Sequence, residues 1–242
     1  MDTGAGRQVD PQATNIDIAG NLASIRQRVA AAARRVGRRP EEVTLVGVTK
    51  LIGLERIEPA LAAGLGHLGE NYVQEALAKH EVIGARAVWH FIGHLQRNKV
   101  KHVVPRFDLI ETVDSVRLAR EIEKRAAQAE KRMAVLLEVN VGDEESKFGV
   151  APGEVADLWD EVAALPHLEL QGLMAIPPLM ADPEESRPFF RRLKEVAGEL
   201  EAARPEARVQ HLSMGMTQDF EVAIEEGATI VRVGTGIFGP RQ

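Results

Sequence analysis

The sequence predicts one (β/α)8 TIM-type barrel preceded by an extra N-terminal helix, and three observations carry that prediction. Short β-branched or apolar runs recur eight times, and amphipathic, helix-like stretches lie between them. These units take up nearly all of the 242 residues after the first helix. No Pro/Gly/Ser-rich linker or abrupt shift in composition divides the chain, so one domain is expected. A doubly wound open sheet is the competing architecture, because it also alternates strands with helices.

The first 14 residues lack periodicity and read as a flexible N-terminus, leaving 15–242 as the single domain. The stretch 16–35 carries Leu22, Ile25 and Val29 at helical spacing. Arg26, Arg28, Arg34 and Arg35 lie elsewhere around that wheel and are continued by Arg38 and Arg39. They read as a solvated face, with contact to a phosphate-bearing partner as the sharper alternative. Whether this helix covers the barrel or binds a partner is open at this level. The strand-like runs are 43–49, 66–68, 88–92, 109–113, 134–139, 168–175, 209–212 and 230–233. A helix over 115–131 opens on Ser115 as its cap. Another over 183–203 opens on Asp182-Pro183-Glu184-Glu185, which supplies an N-cap, an N1 proline and an N3 glutamate. A third over 217–226 stops at Gly227.

Composition removes several function classes. The chain has no cysteine, so disulfides, Cys-based zinc or iron–sulfur sites and thiolate nucleophiles are excluded. With 30 Lys+Arg against 36 Asp+Glu, the net charge of -6 argues against a chain built to coat nucleic acid. No apolar run reaches the roughly 18 residues of a membrane span, and the N-terminal stretch lacks the apolar core of a secretory signal. A cytoplasmic protein with no membrane partner is expected.

In a barrel of this kind, active residues sit at the C-terminal ends of the strands and in the loops that follow. The first run ends in Val48-Thr49-Lys50. A lysine closing an apolar strand is partly desolvated, which leaves more free amine to attack a carbonyl; the bland alternative is a lysine snorkelling into water. After the seventh run comes Ser213-Met214-Gly215-Met216-Thr217 and then a helix, and after the eighth comes Gly234-Thr235-Gly236. Both loops offer hydroxyls and flexible glycines, in the place where barrels frequently hold a phosphate. A lysine amine and a phosphate pocket on one rim imply a phosphorylated carbonyl ligand.

Arg232 lies two residues before the second of these loops. A buried arginine needs a partner, either a carboxylate or a ring nitrogen acting as acceptor. Pyridoxal phosphate joins aldehyde, phosphate and pyridine nitrogen in one molecule. An arginine, which keeps its proton, would leave that nitrogen unprotonated and weaken the ring as an electron sink. GTGIFG at 234–239 matches the dinucleotide fingerprint, but only three residues follow it, too few for the helix of a βαβ unit.

Seven stretches then resemble one family: VGVTK at 46–50, LGENYVQE at 68–75, WHFIGHLQRNK at 89–99, LEVNVGDEESKFG at 137–149, GLMAIPP at 172–178, LSMGMTQDFEVAIEEG at 212–227 and VRVGTGIFGPR at 231–241. On these the chain is similar to the pyridoxal phosphate homeostasis proteins (YggS/PROSC family), relatives of the N-terminal barrel domain of alanine racemase. The resemblance implies pyridoxal 5'-phosphate held as a Schiff base on Lys50, with Arg232 facing the pyridine nitrogen. It further implies phosphate contacts at Ser213, Met214, Gly234 and Thr235, with Asn71 lining the ring. It implies a role in vitamin B6 and cofactor homeostasis or delivery, with apo-enzymes as clients; a monomer is expected.

Competing readings remain. His90 and His94 have the i,i+4 spacing of a metal pair, but a strand followed by a turn need not make them converge, so no metal is expected. His94, Gln96 and Asn98 read as exposed loop residues, with the pocket wall as the alternative. Lys147 lies in the loop after the fifth run, where a second amine could exchange the aldehyde or simply be solvated. A racemase would need acid–base groups on both faces of its substrate. Lys50 could serve one face. The only tyrosine is Tyr72, beside Asn71, and no residues remain for the second domain that supplies the opposing tyrosine in alanine racemases. A Schiff-base aldolase acting on sugar phosphates would use the same lysine without any cofactor.

Overall fold

The computed structural model describes residues 16–142 and 148–240. Their elements run α1 (Ile18–Arg35), β1 (Thr44–Val48), α2 (Leu54–Ala62), β2 (His67–Glu70), α3 (Val73–Ile83), β3 (Val88–Phe91), α4 (Val100–Val103), β4 (Leu109–Val113) and α5 (Val116–Gln128). They continue with β5 (Met133–Glu138), α6 (Val155–Ala163), β6 (Leu168–Met174), α7 (Arg187–Ala203), β7 (His211–Met216), α8 (Phe220–Glu225), β8 (Ile230–Val233) and α9 (Thr235–Phe238). The eight strands pair in parallel with their sequence neighbours, and β8 closes on β1 through Val46↔Arg232. The open-sheet alternative is therefore set aside. What decides is closure: the β8–β1 pairing removes both sheet edges, so the inner face packs on itself and the helices cover only the outer face.

Most of the apolar core lies between the sheet and the helical ring. The interior of the barrel is different. It holds a small plug of Val46, Leu109, Leu136, Met174 and Ile230, and beside it a file of buried polar groups. Barrel interiors are ordinarily filled by branched aliphatics, so this file is the feature of the fold that asks for a reason.

The N-terminal helix belongs to the outer ring. α1 buries Ile18, Leu22, Ile25 and Val29 and packs against α2, α8 and the single turn of α9. Its arginines are mostly engaged within the chain: Arg28 meets Glu221 at 3.0 Å and lies over the Phe220 ring, and Arg35 meets Glu225 at 2.7 Å. Arg26 donates to the carbonyls of Ala63 and Gly64, and Arg38 to those of Ile224 and Ala228. The helix therefore covers part of the barrel's outer ring.

Two boundaries move. Asp182 does cap, accepting from Glu184 N–H at 3.0 Å, but it opens a 3-10 turn, Pro183–Ser186, ahead of α7. More consequential, the seventh strand runs on through Ser213-Met214-Gly215-Met216, which composition alone reads as loop. The register against β8 shifts between Ser213 and Met216, and Gly215 takes up the bend at φ +91. A Cβ there would stand 2.5 Å from Ala223 Cβ, so no larger residue fits.

Candidate functional site

At the C-terminal mouth of the barrel the strand ends surround a cavity of about 330 Å³. Lys50, Asn71, Arg232, Gly234 and Thr235 line it, and these are five of the seven residues singled out above. Ser213 and Met214 do not. The pleat turns the Met214 side chain outward, wholly buried in the core between sheet and helices. Ser213 turns inward, also wholly buried, where its hydroxyl donates to Glu111 Oε2 at 2.6 Å and accepts from Arg232 at 2.6 Å. What reaches the pocket from β7 is Met216, together with Thr217, Gln218 and Asp219 beyond the bend. Thr217 Oγ1 accepts from Gly234 N–H at 3.2 Å and ties the two loops together.

Lys50 is half-buried in the turn leaving β1. That turn is held from below. Leu51 adopts φ +60, unusual for a branched residue, and its N–H donates to Glu75 Oε1 at 2.6 Å. Lys79 reaches up from α3 to the Thr49 carbonyl at 2.5 Å, to Glu70 Oε1 at 2.7 Å and to Glu75 Oε1 at 2.5 Å. Burial pushes the Glu70 carboxyl above its ordinary range even with Lys79 beside it, and Glu70 Oε2 is buried without a hydrogen bond. Sequence reasoning missed this cluster. The i,i+4 spacing of Glu75 and Lys79 was its only local sign.

Asn71 leaves β2 at the pocket wall, and its Oδ1 is buried with no partner. It lies so close to Gly93 that a Cβ on that glycine would come within 2.4 Å of the Asn71 carbonyl oxygen. An acceptor buried at a pocket wall asks for a donor from a bound group. Arg232 rises from the interior on the other side. It donates to the Ala175 carbonyl at 2.9 Å and stands 3.6 Å from Glu111 Oε2, so the carboxylate partner weighed above is present. Burial pulls the guanidinium below its ordinary value, opposed by Glu111, Glu138 and Asp219. It remains charged. Glu138, with Oε2 also unpartnered, is raised by burial, and by the nearby Asp114, to about 7.

The histidine pair separates. His90 points into the barrel between Glu111 and His67, whereas His94 stacks on Phe148 at 3.7 Å outside it. His94 and Gln96 border a neighbouring hollow that shares Asn71 with the pocket. Among the described residues no group of three or more His, Asp or Glu could hold a metal ion. GTGIFG opens only the single turn of α9. Lys147 lies outside the described residues.

Residues 20–242 match the family model of the alanine racemase N-terminal domain. A pyridoxal phosphate homeostasis protein of Aquifex aeolicus is 46% identical over 222 residues, covering 91% of this chain and 97% of its own. The chain belongs to that family. A second member, from Escherichia coli K12, is 40% identical over 230 residues and is covered over 97% of its length. PipY of Synechococcus elongatus PCC7942, solved with PLP bound, superposes with a TM-score of 0.82 at 35% identity, covering 92% of this chain and all of that one. These relatives are matched over 97% or more of their own lengths. No helix among the described residues is long and apolar enough to cross a membrane.

Proposed function

We propose that this chain binds pyridoxal 5'-phosphate through Lys50 and serves in homeostasis and delivery of the cofactor, with apo-enzymes as recipients. One observation carries the reading: a lysine amine and an arginine guanidinium, from strand ends adjacent in the closed barrel, line one small pocket with Asn71, Gly234 and Thr235. The relative solved with PLP bound and the family's name support it.

When bound, pyridoxal phosphate brings an aldehyde open to attack by an amine, a phosphate and a pyridine nitrogen. Lys50 would hold the aldehyde end, and the anchored turn beneath it keeps its amine on the pocket side. The hydroxyls of Thr235 and Thr217 and the backbone at Gly234 suit the phosphate. Ser213 and Met214 would act from one step below, Ser213 by fixing Arg232 and Met214 by packing the bend that carries Thr217. Asn71, whose buried Oδ1 needs a partner, would border the ring. Arg232 keeps its own proton, and so would leave the ring nitrogen unprotonated. A ring in that state is a weaker electron sink. The tyrosine a two-base racemase would set opposite Lys50 is not on the pocket wall: Tyr72, the only tyrosine in the chain, borders the neighbouring hollow instead.

Titration with pyridoxal phosphate tests the reading. Wild type should gain a near-visible absorption band, Lys50→Ala should not, and borohydride followed by peptide mapping should label Lys50. A label on another residue defeats the assignment of Lys50, and the absence of any band defeats the cofactor itself. Racemisation of an amino acid by purified protein, lost in Lys50→Ala, would overturn the carrier.

A further inference from the structure

The file of polar groups inside the barrel has two open ends. At the upper end Arg232 lines the pocket. From there Ser213 bridges to Glu111 through two bonds of 2.6 Å, Glu111 Oε1 meets His90 Nδ1 at 2.7 Å, and His90 Nε2 meets His67 Nδ1 at 3.0 Å. His67 is half-buried at the start of β2, where it borders a second cavity, of about 210 Å³, at the N-terminal mouth of the barrel. Every link is a proton donor or acceptor, and the file spans the barrel from mouth to mouth.

Filling this space with aliphatic side chains would avoid the desolvation that three buried ionisable groups incur. The charges also balance along the file. Burial alone would push the Glu111 carboxyl up; the hydrogen bond and charge of His90, with Arg232 and Ser213, outweigh it and hold it below its ordinary range. An ionised Glu111 accepts from His90 Nδ1–H and from Ser213, which makes His90 Nε2 the acceptor of His67 Nδ1–H. His67 Nε2 is then the acceptor left at the lower end.

We propose that Glu111 and His90 are positioning residues for Arg232, and that through them the proton state of His67 at the far mouth of the barrel sets how firmly Arg232 is held toward the pocket. A proton taken up on His67 Nε2 leaves that ring a cation that still donates Nδ1–H to His90 Nε2, so Glu111, held below its ordinary range, stays the anion and now faces a cation at each end of the file. Arg232 then shares its anionic anchor with a second cation and is held less firmly. The other charged or titratable groups facing His67 are Asp108 on the approach to β4 and His211 on β7. Those facing Arg232 are Glu138 and Asp219. Burial, reinforced by His90, holds His67 below histidine's ordinary range, so the device responds on the acid side of neutrality.

The first test needs no cofactor. Histidine ¹⁵N NMR of the full apo chain follows His67 and His90 across pH, each assigned by its own substitution. Replacing the cation by Arg232→Gln should shift the joint midpoint upward, by about half a pH unit, because the field of Glu111 on the rings is no longer offset. Ser213→Ala, a milder cut in the same file, should shift it in the same direction. Unchanged midpoints in both variants, or no titration of either ring, overturn the proposal. The second test rests on the cofactor reading. The absorption of the bound chromophore should change with pH below neutrality in wild type and lose that transition in His67→Ala. A pH-invariant spectrum with Lys50 still labelled by borohydride defeats the coupling alone; no label at Lys50 in wild type defeats the cofactor reading instead.

Discussion

Two populations of charge in this molecule use the same residue types to different ends. Outside, Arg187 is shared among Glu184, Glu225 and Glu226 at 2.7–2.9 Å, and Arg86 pairs with Glu58 at 2.6 Å. Inside, Lys79 is locked to Glu70 and Glu75 beneath the Lys50 turn, and Arg232 is locked to Ser213 and Glu111 beneath the pocket. Water screens the outer lattice, so its pairs contribute little and can be exchanged. The inner groups have surrendered their hydration, so each depends on its partner being present. Charge close to the site is therefore costly to disturb, and charge on the helical ring is not.

The largest effect that would sharpen this contrast is Lys79→Met. It leaves Glu70 and Glu75 without their cation, and we expect a loss of about 3–5 kcal/mol in denaturant unfolding near pH 8. The loss should shrink toward pH 5, because a protonated Glu70 no longer needs the lysine. A loss that does not vary with pH would mean that packing rather than charge is at stake.

Next is Glu138. Its folded-state value of about 7 exceeds the ordinary 4.5, so the folded protein binds more protons than the unfolded chain between those limits. Stability is then fully present below the unfolded value and falls as pH rises through 7, by an amount on the order of 3 kcal/mol. Glu138→Gln should remove that slope and raise the denaturation midpoint at pH 8. If wild type and variant show parallel stability–pH curves, the interior of the barrel is more hydrated than the comparison allows.

The outer lattice should respond weakly. Arg187→Ala is expected to cost about 1 kcal/mol or less, and most of that should vanish in high salt. Arg86→Ala should leave the thermal midpoint unchanged within error. A large loss at either position would break the distinction between shell and interior.

Much of the fold was legible because it rests on local periodicity. All eight strands overlap the β-branched or apolar runs of the sequence, and Ser115 caps α5 through Leu118 N–H. Ser213, Gly215 and the methionines lack the β-branched signature, so the sequence by itself ends β7 too early. Only pairing with β6 and β8 makes them strand. For the same reason the sequence reads Ser213 and Met214 as loop residues, where the structure has them in the strand with their side chains buried.

Lys50, Arg232, Gly234 and Thr235 could be named from the sequence by itself, since each follows or closes a strand and a parallel barrel puts those ends on one rim. The chain alone could also show that no cysteine chemistry operates here. The partner of each buried charge was decided only in three dimensions. Glu111 and Arg232 are separated by 121 positions, and Glu70 and Thr49 by 21. Which side chain neutralises which depends on strand register and pleat, and on the high cost of leaving any of them unpaired once water is excluded. No local pattern records that.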